Sequence, residues 1–275
     1  MTRRGRELGW SLAALAVAAW SLLPLAWIVS LSLRRGDDLF SGAFWPRRLS
    51  LDAYRTVLRA PQFTHALENS LGISAIATAL SVALAVPAAY AVARLEFPGR
   101  RALLATALAI AMFPVVAIVG PLFDLWRAVG LYDTWAGLVL PELSFTLPLT
   151  IWVLSAHFRE IPWEVEEAAR IDGASRWQIL RDVTLPLAAP GVATAAILAF
   201  LAAWNDFVFG ISLTSTDRAR TVPAALAFFA GASQFQAPAA AISAAAVLVT
   251  VPVIALVLLF QRRIVAGLTA GAVKG

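Results

Sequence analysis

The 275-residue sequence contains no cysteine, one lysine and two histidines, and each shortage closes a class of function. Without cysteine there is neither a disulfide framework nor a thiolate metal site. The lone lysine, Lys274, stands next to the C-terminus. A P-loop needs a lysine that reaches the β- and γ-phosphates within GxxxxGK[ST], so the chain carries no such nucleotide site. His65 and His157 form no HExxH pair and no GxSxG elbow occurs, which argues against intramembrane hydrolase chemistry. Both fall at the ends of apolar runs, where a structural role is expected. Charge is scarce too. Charged residues make up 14% of the chain and hydrophobic residues 60%, far from the balance of a soluble domain.

What is abundant is uninterrupted apolar sequence. Gly9–Leu33, Ser70–Ala93, Ala102–Phe123, Val183–Asn205 and Thr221–Gln261 are free of charge and reach the roughly 20 residues that cross a bilayer. Leu143–Phe158 is shorter and becomes adequate if Glu142 sits at the membrane edge. The pattern predicts an all-α membrane protein, a single transmembrane domain over 1–275 with six spans near 9–33, 68–93, 102–125, 138–158, 188–213 and 239–261. The first run follows Arg3, Arg4 and Arg6 and is too long for an ordinary signal peptide, so it reads as a signal anchor. With both termini inside, thirteen Lys and Arg fall on the inner side and nine on the outer, which favours cytoplasmic termini. The dissent is the first outer loop, where Arg34, Arg35, Arg47, Arg48, Arg55 and Arg59 gather. The net charge of +5 reads as basic loops rather than a nucleic-acid surface.

Pro24, Pro87, Pro114, Pro121, Pro141, Pro148 and Pro252 lie within or beside the spans, and each removes a backbone donor and favours a kink. Breaks of this kind survive in lipid where protein or a water-filled cavity satisfies the freed carbonyl. Gly72, Gly120, Gly191 and Gly210 are expected at close helix contacts. Trp10, Trp27, Trp135 and Trp152 are expected as interfacial anchors. Proton-coupled carriers bury several acids at mid-membrane, whereas Asp206 is the one acid well inside a predicted span here. Asn205 and Asp206, with Asn69 at the start of the second span, therefore read either as pathway or gate contacts or as hydrogen bonds that fix helices together.

The segment 159–190, between the fourth and fifth spans, has legible local chemistry. Pro162 suits a first helical turn, and Glu164, Glu166 and Glu167 follow where the helix dipole favours acids. Val165, Ala168, Ala169 and Asp172 share one face, and Gly173 supplies a left-handed stop. Ser175 and Gln178 form a capping-box pair for a second short helix, and Pro186 and Pro190 mark the turn back into the membrane. The product is a helix–turn–helix with a small-residue crest edged by carboxylates. An amphipathic linker on the lipid surface would prefer Lys and Arg on its polar face. These acids point instead to a protein partner.

Glu167-Ala168-Ala169, then Asp172-Gly173-Ala174, then Leu185-Pro186 resemble the EAA loop of ABC importer permeases in residues and spacing. Trp204-Asn205-Asp206-Phe207 resembles a segment of carbohydrate permeases, and the ending Ala266–Gly275 resembles the tail of the maltose-type smaller permease subunit. The resemblance covers essentially the whole chain and implies the type I ABC importer fold, with no cofactor in this chain. It implies a second permease, two ATPase subunits that hold ATP and Mg, and an extracytoplasmic substrate-binding protein. It places ATPase coupling at Glu166, Glu167, Ala168, Ala169, Asp172, Gly173, Ala174, Leu185 and Pro186. It adds a tail contact at Gly271, Ala272, Val273, Lys274 and Gly275. Binding-protein contact is expected from the outer loops 34–68 and 214–238, the latter with Phe228, Phe229, Gln234 and Phe235. The implied cargo is a sugar, with a disaccharide such as trehalose or maltose suggested by the tail. A polyamine or glycerol phosphate permease and an ion-coupled carrier are the alternatives.

Overall fold

A computed structural model describes residues 3–231 and 239–270. Every regular element among them is helical. In chain order these are α1 (Arg3–Ser32), α2 (Asp52–Arg59), α3 (Pro61–Arg94), α4 (Arg100–Ala111), α5 (Val115–Val129) and α6 (Trp135–Glu160). They continue with α7 (Trp163–Ile171), α8 (Arg176–Gln178), α9 (Leu185–Leu187), α10 (Ala189–Trp204), α11 (Val208–Ser212), α12 (Val222–Gly231) and α13 (Ala239–Ala270). Among the described residues, five segments are long and apolar enough to cross a membrane: Gly9–Ser32, Pro61–Arg94, Trp135–Glu160, Ala189–Ser212 and Ala239–Gln261. Helices α4 and α5 make a sixth only as a pair bent by 82°.

That bend falls at Pro114, one of the prolines expected to kink a span, and breaks the span expected over 102–125 into two helices. Pro114 caps α5 with extended backbone (ψ 115°), and a proline there disfavours helical backbone at the residue before it. Pro24, Pro87, Pro121, Pro141, Pro148 and Pro252 all stay inside helices, so among these prolines Pro114 alone stands at a helix break. The fifth span is interrupted as well. Helix α10 stops at Trp204 and α11 restarts at Val208, leaving Asn205, Asp206 and Phe207 between them.

The chain divides into two compact units, parted at 64/65, 225/226 and 252/253. In the first, Val57 and Phe63 pack with Ala244 and Ala245. Arg34 is buried there. It donates to Ser30 Oγ (3.1 Å), to the carbonyls of Asp38 (3.2 Å) and Phe44 (3.2 Å) and to that of Ala43, and lies 4.9 Å from the Trp27 ring. Trp27 is thus occupied within the protein rather than serving only as an interfacial anchor. One arginine of the dissenting basic loop is thus buried and held by a serine and carbonyls rather than open to solvent.

In the second unit one core joins Ala85, Ala89, Leu154, Phe158, Leu180 and Ala195. Another joins Ile73, Ala77, Leu138, Phe209 and Leu213. Ser81 and Thr146 share a buried 2.6 Å hydrogen bond between α3 and α6. Three of the four glycines expected at close contacts are there: a Cβ on Gly72 would meet Trp135, on Gly191 His157, and on Gly210 Thr221. Gly120 meets nothing within 4 Å, so the expectation fails at that position.

Candidate functional site

Helix α6 ends at Glu160, and Ile161 and Pro162 run extended because a residue before proline leaves the helical region. Helix α7 then begins with Glu164 and Glu166 in its first turn. It closes in a Schellman motif. The Gly173 N–H donates to the Arg170 carbonyl (3.1 Å) and the Ala174 N–H to the Ala169 carbonyl (3.0 Å), with Gly173 at φ +87°. A Cβ there would meet nothing, so backbone conformation, not space, selects glycine. Ser175 and Gln178 form the expected reciprocal capping box. The chain continues as a π-helical turn, Ile179–Thr184, before Pro186 and α10. A proline that cannot donate favours this wider turn.

The adjacent glutamates Glu166 and Glu167 of α7 differ in burial. Glu166 is 0% exposed. Its Oε1 accepts from Arg94 Nε (2.8 Å) and Thr184 Oγ1 (3.1 Å), and its Oε2 from Tyr90 O–H (3.2 Å). Arg94 also donates to the Ile161 carbonyl (2.8 Å) and lies 5.6 Å from the Trp163 ring, while Arg170 lies 5.1 Å from that ring. One carboxylate thus fastens α7 to α3 behind it and to the return segment in front. The expectation that Glu166 lies on a docking face is corrected: burial gives it to the interior. Glu167, Ala168, Asp172, Gly173 and Pro186 are exposed, and Ala169, Ala174 and Leu185 are partly so. Beside them Ile171 is 82% exposed and Trp177 63%. These two apolar side chains therefore stand open beside the small-residue crest.

The polar residues of the other end resolve differently. Asn69 Nδ2 donates to the carbonyls of Asp217 (2.9 Å) and Arg220 (3.0 Å), and Oδ1 accepts from Trp135 Nε1 (2.8 Å). Asn69 therefore ties α3 to the 213–221 loop and to α6. Trp135 lies over Gly72 as part of that tie, which corrects its reading as an anchor alone. Asp133, at φ +59°, accepts from the N–H groups of Ser215 (3.0 Å) and Thr216 (3.2 Å) and pins the same loop. Asn205 is exposed and donates to the Leu201 carbonyl (2.7 Å). Asp206 accepts from Phe209 N–H (3.4 Å) and Gly210 N–H (3.0 Å), and so restarts the broken span. Phe228 is 48% exposed at the end of α12. The side chain of Phe229, all of Gln234 and Phe235, and the tail Gly271–Gly275 lie outside the described residues.

Sequence reasoning missed the partners of Glu166. Arg94 and Tyr90 stand 72 and 76 residues away, beyond the reach of any local pattern.

Residues 74–269 match the family of binding-protein-dependent transport system inner membrane components. The chain belongs to this family. The permease is 53% identical over 266 residues to the trehalose transport system permease protein SugB of Mycobacterium tuberculosis, covering 97% of each chain. It is 38% identical over 264 residues to the trehalose/maltose transport system permease protein MalG of Thermococcus litoralis, covering 95% of each. Among solved structures, it matches a chain of a bacterial ABC transporter that imports the acidic polysaccharide alginate. That match has TM-score 0.79 and 27% identity, over 95% of this chain and 98% of the other. The permease is a multi-pass membrane transport subunit with the fold of ABC importer permeases.

Proposed function

We propose that this permease carries a sugar of the trehalose or maltose type across the cytoplasmic membrane, as one of two permeases that enclose the pathway. Two separate ATPase subunits hold ATP and Mg, and an extracytoplasmic binding protein delivers the sugar. Both termini lie in the cytoplasm, so the helix–turn–helix from α7 to α9 faces the ATPases. The crest of Glu167, Ala168, Asp172 and Gly173, with Ile171 and Trp177 beside it, seats in an ATPase cleft. Closure of the ATPases on ATP moves α7, and α3 and the return turn 179–184 follow because Glu166 grips Arg94 and Thr184. The tail Gly271–Gly275 adds a second contact to the ATPase, and the loop holding Phe228, Phe229, Gln234 and Phe235 meets the binding protein.

The observation that carries this reading is the outward crest backed by an inward ion pair. Force applied to α7 has a stiff route into the bundle. The relatives SugB and MalG supply the sugar class. The test is uptake of labelled trehalose and maltose into proteoliposomes holding the permease, its partner permease, the ATPases and the binding protein. ATP-dependent uptake by the full set, and none by the permease alone, is expected. Proton-driven uptake by the permease alone would refute the reading.

A further inference from the structure

Three arginines close on one cleft at the end of the bundle that carries α7. Arg100 and Arg101 are the first residues of α4, and Arg159 lies in the last turn of α6, against which α4 packs. With Leu104 of α4 and Val92 and Ala93 of α3 they line a cavity of about 240 Å³. That lining holds no carboxylate. Glu160, the neighbour of Arg159, is paired with His157 (3.5 Å). Arg100 gives one N–H to the Leu95 carbonyl (3.1 Å). The side chains of Arg101 and Arg159 are exposed and make no hydrogen bond or ion pair among the described residues.

Local structure does not account for this gathering. Arg159 complements the negative end of the α6 dipole, but Arg100 and Arg101 stand at the positive end of α4, where acids are stabilising and bases are not. With this end cytoplasmic, as proposed above, the positive-inside preference explains their side of the membrane but not their convergence. Three guanidinium groups around a space without an acid call for an anion. Each offers a planar fork of N–H donors that matches phosphate oxygens two at a time. The cavity is smaller than the roughly 300–1,000 Å³ of pockets that enclose a drug-sized ligand, so it takes a phosphate with its glycerol rather than a nucleotide.

The helix that leads away from the cavity names the source of the phosphate. No residue of α4 is buried, and its Leu103 and Ile110 are 54% and 57% exposed. Acyl chains suit such a face, and basic pockets between membrane helices on the cytoplasmic side hold anionic headgroups. We propose that Arg100, Arg101 and Arg159 form a headgroup site for an anionic phospholipid such as phosphatidylglycerol, whose chains lie along α4. A lipid bound there ties α4 to α6 beside Ala93, the neighbour of the Arg94 that grips Glu166. The proposal goes beyond the importer reading and takes from it only the side of the membrane.

The test is native mass spectrometry of the complete transporter released from nanodiscs that hold equal amounts of phosphatidylglycerol and phosphatidylcholine. The wild type retains phosphatidylglycerol over phosphatidylcholine by at least about fivefold, the worth of a single arginine near an anionic surface. In the triple variant Arg100→Gln, Arg101→Gln and Arg159→Gln the preference falls below about twofold. Ala93→Phe fills the cavity, leaves every arginine in place and gives the same loss, which separates a built site from diffuse positive charge. The Arg101 side chain is exposed, so Arg101→Gln assembles even if the others do not, and it lowers the preference at least about twofold. Equal retention of the two lipids by the wild type, or a wild-type preference in any assembled variant, overturns the site. Displacement of the lipid by an equal concentration of inorganic phosphate would make free phosphate the ligand. Retention by the isolated permease but not by the complete transporter would give the arginines to acidic side chains of a partner subunit. Either result overturns the lipid. These readouts do not depend on sugar uptake, so their failure leaves the importer reading intact, and a transporter that moves no sugar leaves the site intact.

Discussion

Replacing Arg94 by alanine isolates the part of the coupling loop that lies inside the protein. Arg94 and Glu166 are 8% and 0% exposed in their side chains and meet at 2.8 Å. Removing one member of a buried pair typically costs about 3–5 kcal/mol because the other charge is left without compensation. Two bonds to Glu166 survive, from Tyr90 and Thr184, which places the cost at the low end, about 3 kcal/mol. The lost bond to the Ile161 carbonyl and the contact with Trp163 act on the same hinge. At 1.36 kcal/mol per tenfold, the population with α7 detached rises more than about a hundredfold. The exposed arginines Arg170, Arg176 and Arg181 make this readable by limited trypsinolysis in detergent or nanodiscs. Cleavage of the loop accelerates by about that factor when opening is fast relative to cutting. The double variant Arg94→Leu with Glu166→Leu leaves no orphaned charge and is cut more slowly than Arg94→Ala. Wild-type cleavage in Arg94→Ala, or a double variant cut faster than the single, would refute the idea that this pair holds α7.

The remaining predictions concern surface, backbone and packing. Glu167→Lys reverses a charge on the exposed crest, so ATP-driven uptake falls by an order of magnitude or more while membrane insertion, followed by fractionation, stays normal. Gly173→Val places a β-branched residue at φ +87° at a cost of about 1–2 kcal/mol, seen as faster trypsin cleavage, and Gly173→Asn is milder. Gly72→Ala brings a Cβ to 2.2 Å from the Trp135 ring, which must swing away and give up its bond to Asn69. A loss of about 1–3 kcal/mol follows, measured as a lower Tm in detergent. Asn69→Leu removes the same bond and two others, so the pair of substitutions together costs less than the sum of each alone.

Local chemistry was legible in the sequence wherever the physics is local. The stop at Gly173, the capping box of Ser175 and Gln178 and the acids of the first turn of α7 depend on neighbours within a few residues, and each stands where its residue type puts it. Apolar length also located the five long helices among the described residues, and a sixth only as a bent pair. What hydropathy could not show is the path of the backbone within a span. The spans expected over 102–125 and 188–213 are continuous in hydropathy because a break costs no hydrophobicity, yet the first turns by 82° at Pro114 and the second is interrupted at 205–207. Proline alone is a poor guide, since Pro87, Pro141 and Pro148 stay within their helices.

The same distinction explains why two adjacent glutamates with one local signature divide their work. A helix turns about 100° per residue, so with Glu166 buried Glu167 is carried to the exposed side. Which of them turns inward was set by Tyr90, Arg94 and Thr184, none of them a neighbour of α7 in sequence. The division also separates two failures that a single coupling residue would confuse. Under the proposed coupling, loss of Glu167 removes the grip on the ATPase while α7 stays attached to the bundle. Loss of Glu166 leaves the crest chemically unchanged but detaches it from α3, so the ATPase can still bind and its movement reaches nothing. An uncoupled complex that retains ATPase binding in Glu166→Leu and loses it in Glu167→Lys, measured by co-purification, is the outcome this geometry requires. Equal loss of binding in both variants would mean that α7 acts as one surface and that the inward pair carries no force.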